Sequence, residues 1–166
     1  MKQLLLIRHA KSSWGDFTIK DFDRPLNDRG KHDAPMMAKR LLKKEIDIDA
    51  FISSPAKRAR KTAEYFAKEY KTDKEQILFI DELYLAGPAV FSDVISKTDD
   101  RFKTIAVFSH NEGITSFANS LTPVTTDNIP TCGIFAITIQ TKHWSDFEEA
   151  SKEFWFYDYP KKDSGE

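Results

Sequence analysis

Short apolar runs alternate with longer amphipathic stretches along the chain, and this pattern predicts strands and helices in turn. Residues 4–7 are all apolar and predict a strand buried on both faces, as in a parallel sheet. Between Asn27, an N-cap residue type, and about Lys44, apolar residues recur every three or four positions and predict a helix. Residues 48–53 predict a second strand. Ser54 and Pro55 predict the start of a second helix, with the serine as N-cap and the proline at the first helical position.

The same alternation continues towards the C-terminal end. It predicts a third strand at 77–80, a helix at 90–97, a fourth strand at 104–109 leading into His110, a helix from near Asn111, and strands at 134–140 and 154–159. Right-handed strand–helix–strand connections would make the first, second and fourth strands parallel. The predicted fold is an α/β three-layer sandwich (α/β/α) with a mostly parallel central sheet and a C-terminal antiparallel hairpin at its edge. We expect one domain at 1–160 and a flexible tail at 161–166.

Candidate chemistry lies at the carboxyl ends of these predicted strands. Arg8 and His9 end the first strand, Arg58 lies one turn into the helix after the second, and His110 ends the fourth. Parallel strands bring their carboxyl ends to one edge of the sheet, where α/β folds bind ligands. Arginines and helix N-termini favour anions, and a neutral imidazole can act as a nucleophile. The sequence therefore predicts a phosphate site assembled from distant segments.

Composition narrows the class of protein. The 166 residues suit one domain, and 40% hydrophobic with 31% charged residues are typical of a soluble globular protein. A net charge of -1 argues against non-specific nucleic-acid binding, and no apolar run approaches the ~18 residues of a membrane span. Cys132 is the single cysteine, so no internal disulfide or cysteine-based zinc site can form. We expect a cytoplasmic protein with neither nucleic acid nor membrane as a partner.

Five short motifs in this order resemble those of a known family. They are Leu-Ile-Arg-His-Ala-Lys-Ser at 6–12, Arg-Pro-Leu-Asn-Asp-Arg-Gly at 24–30, Ser-Ser-Pro-Ala-Lys-Arg-Ala at 53–59, Thr-Ala at 62–63 and Phe-Ser-His at 108–110. The chain is similar in these motifs to the histidine phosphatase (phosphoglycerate mutase-like) superfamily. Its short length and the His-Ala-Lys-Ser form of the first motif resemble the SixA-type phosphohistidine phosphatase branch. The motifs lie within residues 3–120, and the last third of the chain resembles the family only in general layout.

The resemblance implies a role for each matching residue. His9 would be the nucleophile, while Arg8, Arg58 and His110 would hold the phosphoryl oxygens; Ser12 and Asn111 would either contact phosphate or cap local structure. Arginines can replace a metal around a phosphoryl group, so we expect neither a metal nor another cofactor. His9 must be neutral at its attacking nitrogen, so its other nitrogen should donate to an acceptor such as a backbone carbonyl. His110 should be charged, which a dianionic substrate would favour.

The sequence leaves the identity of the general acid undecided. In much of the superfamily a glutamate after the third strand protonates the leaving group, and Glu82 lies at about that position. The residues around it depart from the mutase-like pattern, and the SixA-type branch lacks a clear acid there. A phosphohistidine substrate needs little acid catalysis, because its leaving imidazole resembles the attacking one. Glu82 is therefore either catalytic or a local cap or ion-pair partner.

Three functions are compatible with these residues. The first is a metal-independent phosphatase that hydrolyses phosphohistidine on a phosphorylated protein through a phospho-His9 intermediate. It is favoured because the stretch from Thr62 to His110 has room for one strand and one short helix but for no large lid, and an open site suits a phosphorylated side chain of another protein. We expect the Trp14 loop and residues 84–87 to form the rim of this site. The second is a phosphomonoesterase for a small phosphate ester that uses Glu82 as general acid. The third is a catalytically inactive phosphate-binding module.

Overall fold

The computed structural model describes residues 1–162, in which four strands alternate with four helices and a final pair of strands follows. The strands are β1 (Lys2–Arg8), β2 (Ala50–Ser53), β3 (Leu78–Phe79), β4 (Thr104–Ser109), β5 (Ile134–Ile139) and β6 (Lys152–Asp158). The helices are α1 (Asp28–Lys43), α2 (Lys57–Glu69), α3 (Pro88–Ser96) and α4 (Gly113–Asn119). Residues 163–166 of the predicted tail lie outside the described part of the chain.

All six strands form one sheet in the order β3-β2-β4-β1-β5-β6. The neighbours β3, β2, β4 and β1 pair in parallel, whereas β5 pairs antiparallel with β1 and β6 pairs antiparallel with β5. This confirms the predicted fold class, with a mostly parallel sheet and an antiparallel C-terminal hairpin at one edge. Within residues 1–162, no helix is long and apolar enough to cross a membrane.

Strand β1 is central and is covered on both faces, which explains its unbroken apolar run. Leu5 and Ile7 belong to a core cluster that also contains the buried residues of α1 and α2, among them Ala34, Met37, Ala63 and Phe66. Leu4 and Leu6 belong to a second cluster with α3 and α4, among them Phe91, Ile95, Ile114 and Phe117. Because successive side chains of a strand point to opposite faces, one short segment contributes to both cores. Two helices therefore cover each face of the sheet.

The start of α2 differs from the prediction by two residues. The helix begins at Lys57 with Ala56 as N-cap, and the Ser54 hydroxyl instead accepts a hydrogen bond from the Ala56 backbone N–H at 3.2 Å. Ser54 and Pro55 therefore form a turn before the helix, in which serine hydroxyls commonly bond two residues ahead. The start of α3 also differs, because Pro88 rather than Val90 is its first residue. A proline is well suited to that position, where its missing N–H leaves no helical hydrogen bond unmade.

The strand register brings the predicted site segments together. Arg8 of β1 pairs with Ser109 of β4, and Ser53 of β2 pairs with Phe108 of β4, so the three strands end at one edge of the sheet. The residues that follow directly are His9, Ser54 and His110. The fold thus places three chain segments that are distant in sequence around one point.

Candidate active site

His9 follows β1 and is held in a defined tautomer. Its Nδ1 lies 2.7 Å from the Ala10 carbonyl oxygen, which can only accept, so Nδ1 carries the proton and Nε2 keeps its lone pair. The side chain is buried, and its backbone N–H donates to the Ser109 carbonyl oxygen at 3.0 Å. Burial, followed by the cationic groups around it, holds the pKa of His9 well below its usual value of 6.5, although the Ala10 contact opposes this. The imidazole is therefore neutral, as the sequence predicts, and it can act as a nucleophile.

Arg8 and Arg58 reach the same region from different elements. Arg8 donates from Nη1 to the Ile129 carbonyl oxygen at 2.9 Å. Arg58, in the first turn of α2, donates from Nη1 to the Asp21 carbonyl oxygen at 2.7 Å and from Nη2 to the Asp21 carboxylate at 3.0 Å. Burial and the nearby Arg58 lower the pKa of Arg8. Two guanidinium groups held this close imply that the site is built for an anion.

Thr62 connects the end of β1 to α2. Its hydroxyl accepts from the Ala10 backbone N–H at 2.9 Å and donates to the Arg58 carbonyl oxygen at 2.7 Å, and the side chain is fully buried. A threonine that bonds to the carbonyl four residues earlier is common in helices. Here the same hydroxyl also fixes the segment that follows His9, so the nucleophile and Arg58 share one hydrogen-bond link.

His110 follows β4 and is almost completely buried. Its ring centroid lies 5.3 Å from that of His9, and its Nε2 lies 2.8 Å from the Ser54 hydroxyl. Burial, followed by the charge of Arg58, lowers the pKa of His110 to about 3. His110 is therefore neutral in this structure, whereas the sequence predicts a charged His110 beside a dianionic substrate.

Within the described part of the chain, three buried side-chain nitrogen atoms lack a hydrogen-bond partner, and all three belong to this site. They are Nε of Arg8, Nε of Arg58 and Nδ1 of His110, the full set of such buried nitrogen and oxygen atoms within residues 1–162. Leaving a buried donor unpaired costs about 1–3 kcal/mol, more when it is charged. Their clustering beside His9 therefore fits a ligand that presents several acceptor oxygens, as a phosphoryl group does.

Asp21 is part of the site although the sequence analysis did not select it. Its carboxylate accepts from Arg58, from the Tyr84 hydroxyl at 2.6 Å and from Nε of Arg24 at 3.2 Å. Partial burial acts to raise the pKa of this carboxyl, but the hydrogen bonds from Tyr84, Arg58 and Arg24 outweigh it and lower the pKa to about 2. Asp21 lies in an irregular polar segment without periodicity, so its only sequence signal was the Arg-Pro motif that begins at position 24.

Three other predicted site residues have different partners. Ser12 accepts from Nη1 of Arg24 at 2.6 Å, and the Asn111 side chain bonds to Thr115 and Asn128. Glu82 is exposed and lines a groove with residues of β3 and α3, none of which belongs to the predicted site. Arg8, His9, Arg58 and His110 therefore lie at one edge of the sheet, whereas Glu82 lines a groove that contains none of these four residues.

Aromatic side chains from the two segments of the predicted rim contact residues around His110 and Arg24. The ring of Tyr84 meets the ring of His110 edge-on at 5.5 Å and that of Phe22 at 5.1 Å. Trp14 lies over the Arg24 guanidinium at 3.6 Å. The mouth of the site therefore presents flat apolar surfaces next to charged groups.

Comparisons with known proteins identify similar sequences and similar folds. A model of the histidine phosphatase superfamily (branch 1) matches residues 4–84. An uncharacterized protein of Mycobacterium tuberculosis is 28% identical over 152 residues, which are 86% of this chain and 92% of that protein. The protein histidine phosphatase SixA, solved with tungstate, has a TM-score of 0.80 at 21% identity, over 95% of this chain and 97% of that one. A mycobacterial glucosyl-3-phosphoglycerate phosphatase, solved with VO3, has a TM-score of 0.67 at 13% identity, over 93% and 97%.

Proposed function

Because the chain belongs to the histidine phosphatase superfamily, we propose that it hydrolyses phosphohistidine on another protein through a phospho-His9 intermediate. The observation that carries this proposal is the arrangement around His9. A neutral imidazole with a free Nε2 lies beside three unpartnered nitrogen atoms, on Arg8, Arg58 and His110. A nucleophile next to donors for the phosphoryl oxygens is what phosphoryl transfer requires.

In the first step, Nε2 of His9 attacks the phosphorus in line with the leaving nitrogen of the substrate. The lone pair of Nε2 forms the new P–N bond while the P–N bond of the substrate breaks, and that electron pair leaves on the substrate imidazole. Arg8, Arg58 and His110 bind the equatorial oxygens and stabilise their charge. The negative charge of the phosphoryl group also raises the pKa of His110, which strengthens its hydrogen bond.

In the second step, water attacks the phosphorus of phospho-His9. The P–Nε2 bond breaks, its electron pair returns to Nε2, and a proton of the water passes to a phosphate oxygen. Nδ1 of His9 keeps its proton and its bond to the Ala10 carbonyl oxygen throughout, so the ring ends in the tautomer in which it started. Dihydrogen phosphate is released.

Two observations support phosphohistidine as the substrate. Glu82 lines a groove that does not include His9, and transfer between two imidazoles needs no strong acid because the leaving and attacking groups have similar basicity. The fold is also shared, across almost the whole chain, with SixA, which is named a protein histidine phosphatase. Alcohol leaving groups are more basic and would require a proton donor.

The direct test is to trap the phosphoenzyme. We expect incubation with a histidine-phosphorylated phosphotransfer protein, labelled on its phosphoryl group, to transfer label to His9 with EDTA present. His9→Gln should carry no label and should lose at least 1,000-fold in kcat, because the nucleophile acts as a unit with its neighbours. His32→Gln replaces an exposed histidine and serves as the matched control. Label on another residue, or full turnover by His9→Gln, would overturn the mechanism.

A substrate panel decides between the proposed function and its alternatives. We expect kcat/KM for phosphohistidine to exceed that for a phosphoserine peptide and for sugar phosphates by more than 100-fold. A higher value for a small ester, together with a large loss in Glu82→Gln, would make the chain a phosphomonoesterase. Phosphate binding without turnover of any substrate would make it a binding module.

A further inference from the structure

We propose that Asp21 binds the free ring N–H of the leaving imidazole and thereby makes the site prefer phosphohistidine to phosphate esters. This inference rests on the proposed function and adds a specificity-determining residue to it. Asp21 shares the Arg58 guanidinium with the phosphoryl group, since Arg58 uses Nη1 and Nη2 for Asp21 while its buried Nε lacks a partner. The phosphoryl group of the substrate and the Asp21 carboxylate would therefore both bind to the rigid, planar guanidinium of Arg58.

The Asp21 carboxylate has room for one more hydrogen bond. A carboxylate offers about four acceptor positions. Among residues 1–162, Oδ2 accepts from Arg58 and Tyr84, and Oδ1 accepts from Arg24 alone. The side chain is 45% exposed, so the remaining position on Oδ1 is accessible to a substrate group. The three existing bonds also fix the orientation of the carboxylate, which lowers the entropy cost of binding.

The leaving group of phosphohistidine has the matching chemistry. An imidazole that is phosphorylated on one ring nitrogen leaves as a neutral molecule only if the other nitrogen carries a proton. When the P–N bond breaks, the electron pair stays on the leaving nitrogen, and the proton stays on the other one. No proton is transferred, and the carboxylate only has to keep that second nitrogen protonated. The low pKa of Asp21 keeps the carboxylate ionised for this purpose.

The surroundings of Asp21 suit a flat aromatic ring. Phe22 follows it directly, is partly exposed, and meets the ring of Tyr84 at 5.1 Å, while the Tyr84 hydroxyl donates to Asp21. An imidazole can pack against these rings and donate its N–H to the carboxylate at once. The alcohol of a phosphoserine or a sugar phosphate has neither an aromatic ring nor a ring N–H. The same residues therefore distinguish the two substrate classes.

The test compares two small substrates, so that binding of a partner protein plays no part. Phosphoimidazole has the ring N–H, whereas p-nitrophenyl phosphate does not. We expect Asp21→Asn to lower the ratio of kcat/KM for phosphoimidazole to that for p-nitrophenyl phosphate by at least ten-fold, which is the usual range for a charge-assisted hydrogen bond of about 1.5–3 kcal/mol. Asp21→Glu, which keeps the carboxylate, should recover part of that ratio. Asp23→Asn, in the same turn and exposed, should leave it unchanged.

The pH profile separates this role from a structural one. Wild type should keep its rate on phosphoimidazole above pH 7, because Asp21 holds the ring nitrogen protonated, whereas the rate of Asp21→Asn should fall as the ring loses its proton. Equal losses on both substrates, or an unchanged ratio, would mean that Asp21 acts only through Arg58 or the loop, and would overturn the inference. The proposed function would fail separately if the wild-type protein did not hydrolyse phosphoimidazole, or if the His9→Gln variant still hydrolysed it.

Discussion

The Ser54 hydroxyl lies 2.8 Å from Nε2 of His110, although 56 positions separate the two residues. Both side chains are buried. The hydroxyl also accepts from the Ala56 N–H, which leaves its own proton available for Nε2. If Ser54 donates to Nε2, the ring proton of neutral His110 lies on Nδ1, the atom that lacks a partner. Ser54 thus positions His110 to donate to a phosphoryl oxygen.

Removing this hydroxyl should therefore lower the rate. We expect Ser54→Ala to reduce kcat about ten-fold, because a net hydrogen bond of about 1 kcal/mol is lost and the ring tautomer is no longer fixed. The tautomer itself is measured by the ¹⁵N chemical shifts of His110. Ser53→Ala is the control, since Ser53 is equally buried but its hydroxyl donates to the Ser54 carbonyl oxygen. Equal kcat values for the two variants, with an unchanged ¹⁵N spectrum, would contradict the role of Ser54.

Ser54 also shows what the sequence could and could not predict. The order of strands and helices was predictable from periodicity, and the parallel topology follows from connection rules, so residues that directly follow strands could be placed together. That was enough for Arg8, His9, Arg58 and His110. The Ser54–His110 contact was not predictable, because capping rules are local and favoured a helix start at Ser54. Asp21 was not predictable either, since it reaches Arg58 from an irregular segment whose conformation depends on tertiary contacts.

Thr62 provides a test of the link between β1 and α2. We expect Thr62→Val, which keeps the shape of the side chain, to lower the free energy of unfolding by about 1–3 kcal/mol, because the buried Ala10 N–H loses its acceptor. Thr62→Ser keeps the hydroxyl and loses one methyl group, so it should cost about 1 kcal/mol. Urea unfolding of the three proteins measures both values. A valine variant as stable as the serine variant would show that this hydrogen bond contributes little.

The buried neutral histidines predict how stability depends on pH. The pKa of His110 is about 3 in the folded protein and 6.5 as its ordinary value, so the unfolded chain binds the extra proton between these pH values. The free energy of unfolding should therefore be highest above pH 6.5 and should fall as the pH decreases towards 3, with His9 acting in the same direction. Replacing His110 with asparagine should make the curve between pH 6.5 and pH 4 shallower. His32→Asn, at an exposed position, should not, and equal slopes for both variants would refute the assignment.

Gly113 and Gly87 lie near a close contact between α4 and residues 86–87. Substitution by alanine should have a larger effect at Gly113 than at Gly87. Gly113 begins α4, and a Cβ there would overlap the Ala86 backbone carbonyl, whereas a Cβ on Gly87 would have no atom within 4 Å. Helix propensity alone favours alanine over glycine at residue 113 by about 1 kcal/mol. Backbone cannot yield as a flexible side chain would, so the overlap should outweigh that gain.

We therefore expect Gly113→Ala to lower the free energy of unfolding by about 1–3 kcal/mol, the usual cost of overpacking, and Gly87→Ala to lower it by less than about 1 kcal/mol, because Gly87 is the N-cap of α3 and alanine is a poorer cap. The displaced segment carries Tyr84, which contacts both His110 and Asp21. Activity should therefore fall in Gly113→Ala beyond what its unfolded fraction explains, and it should stay near wild type in Gly87→Ala. Thermal unfolding and kcat/KM on p-nitrophenyl phosphate measure the two effects. A stabilised Gly113→Ala would show that helix propensity prevails and that α4 does not approach residues 84–87 this closely.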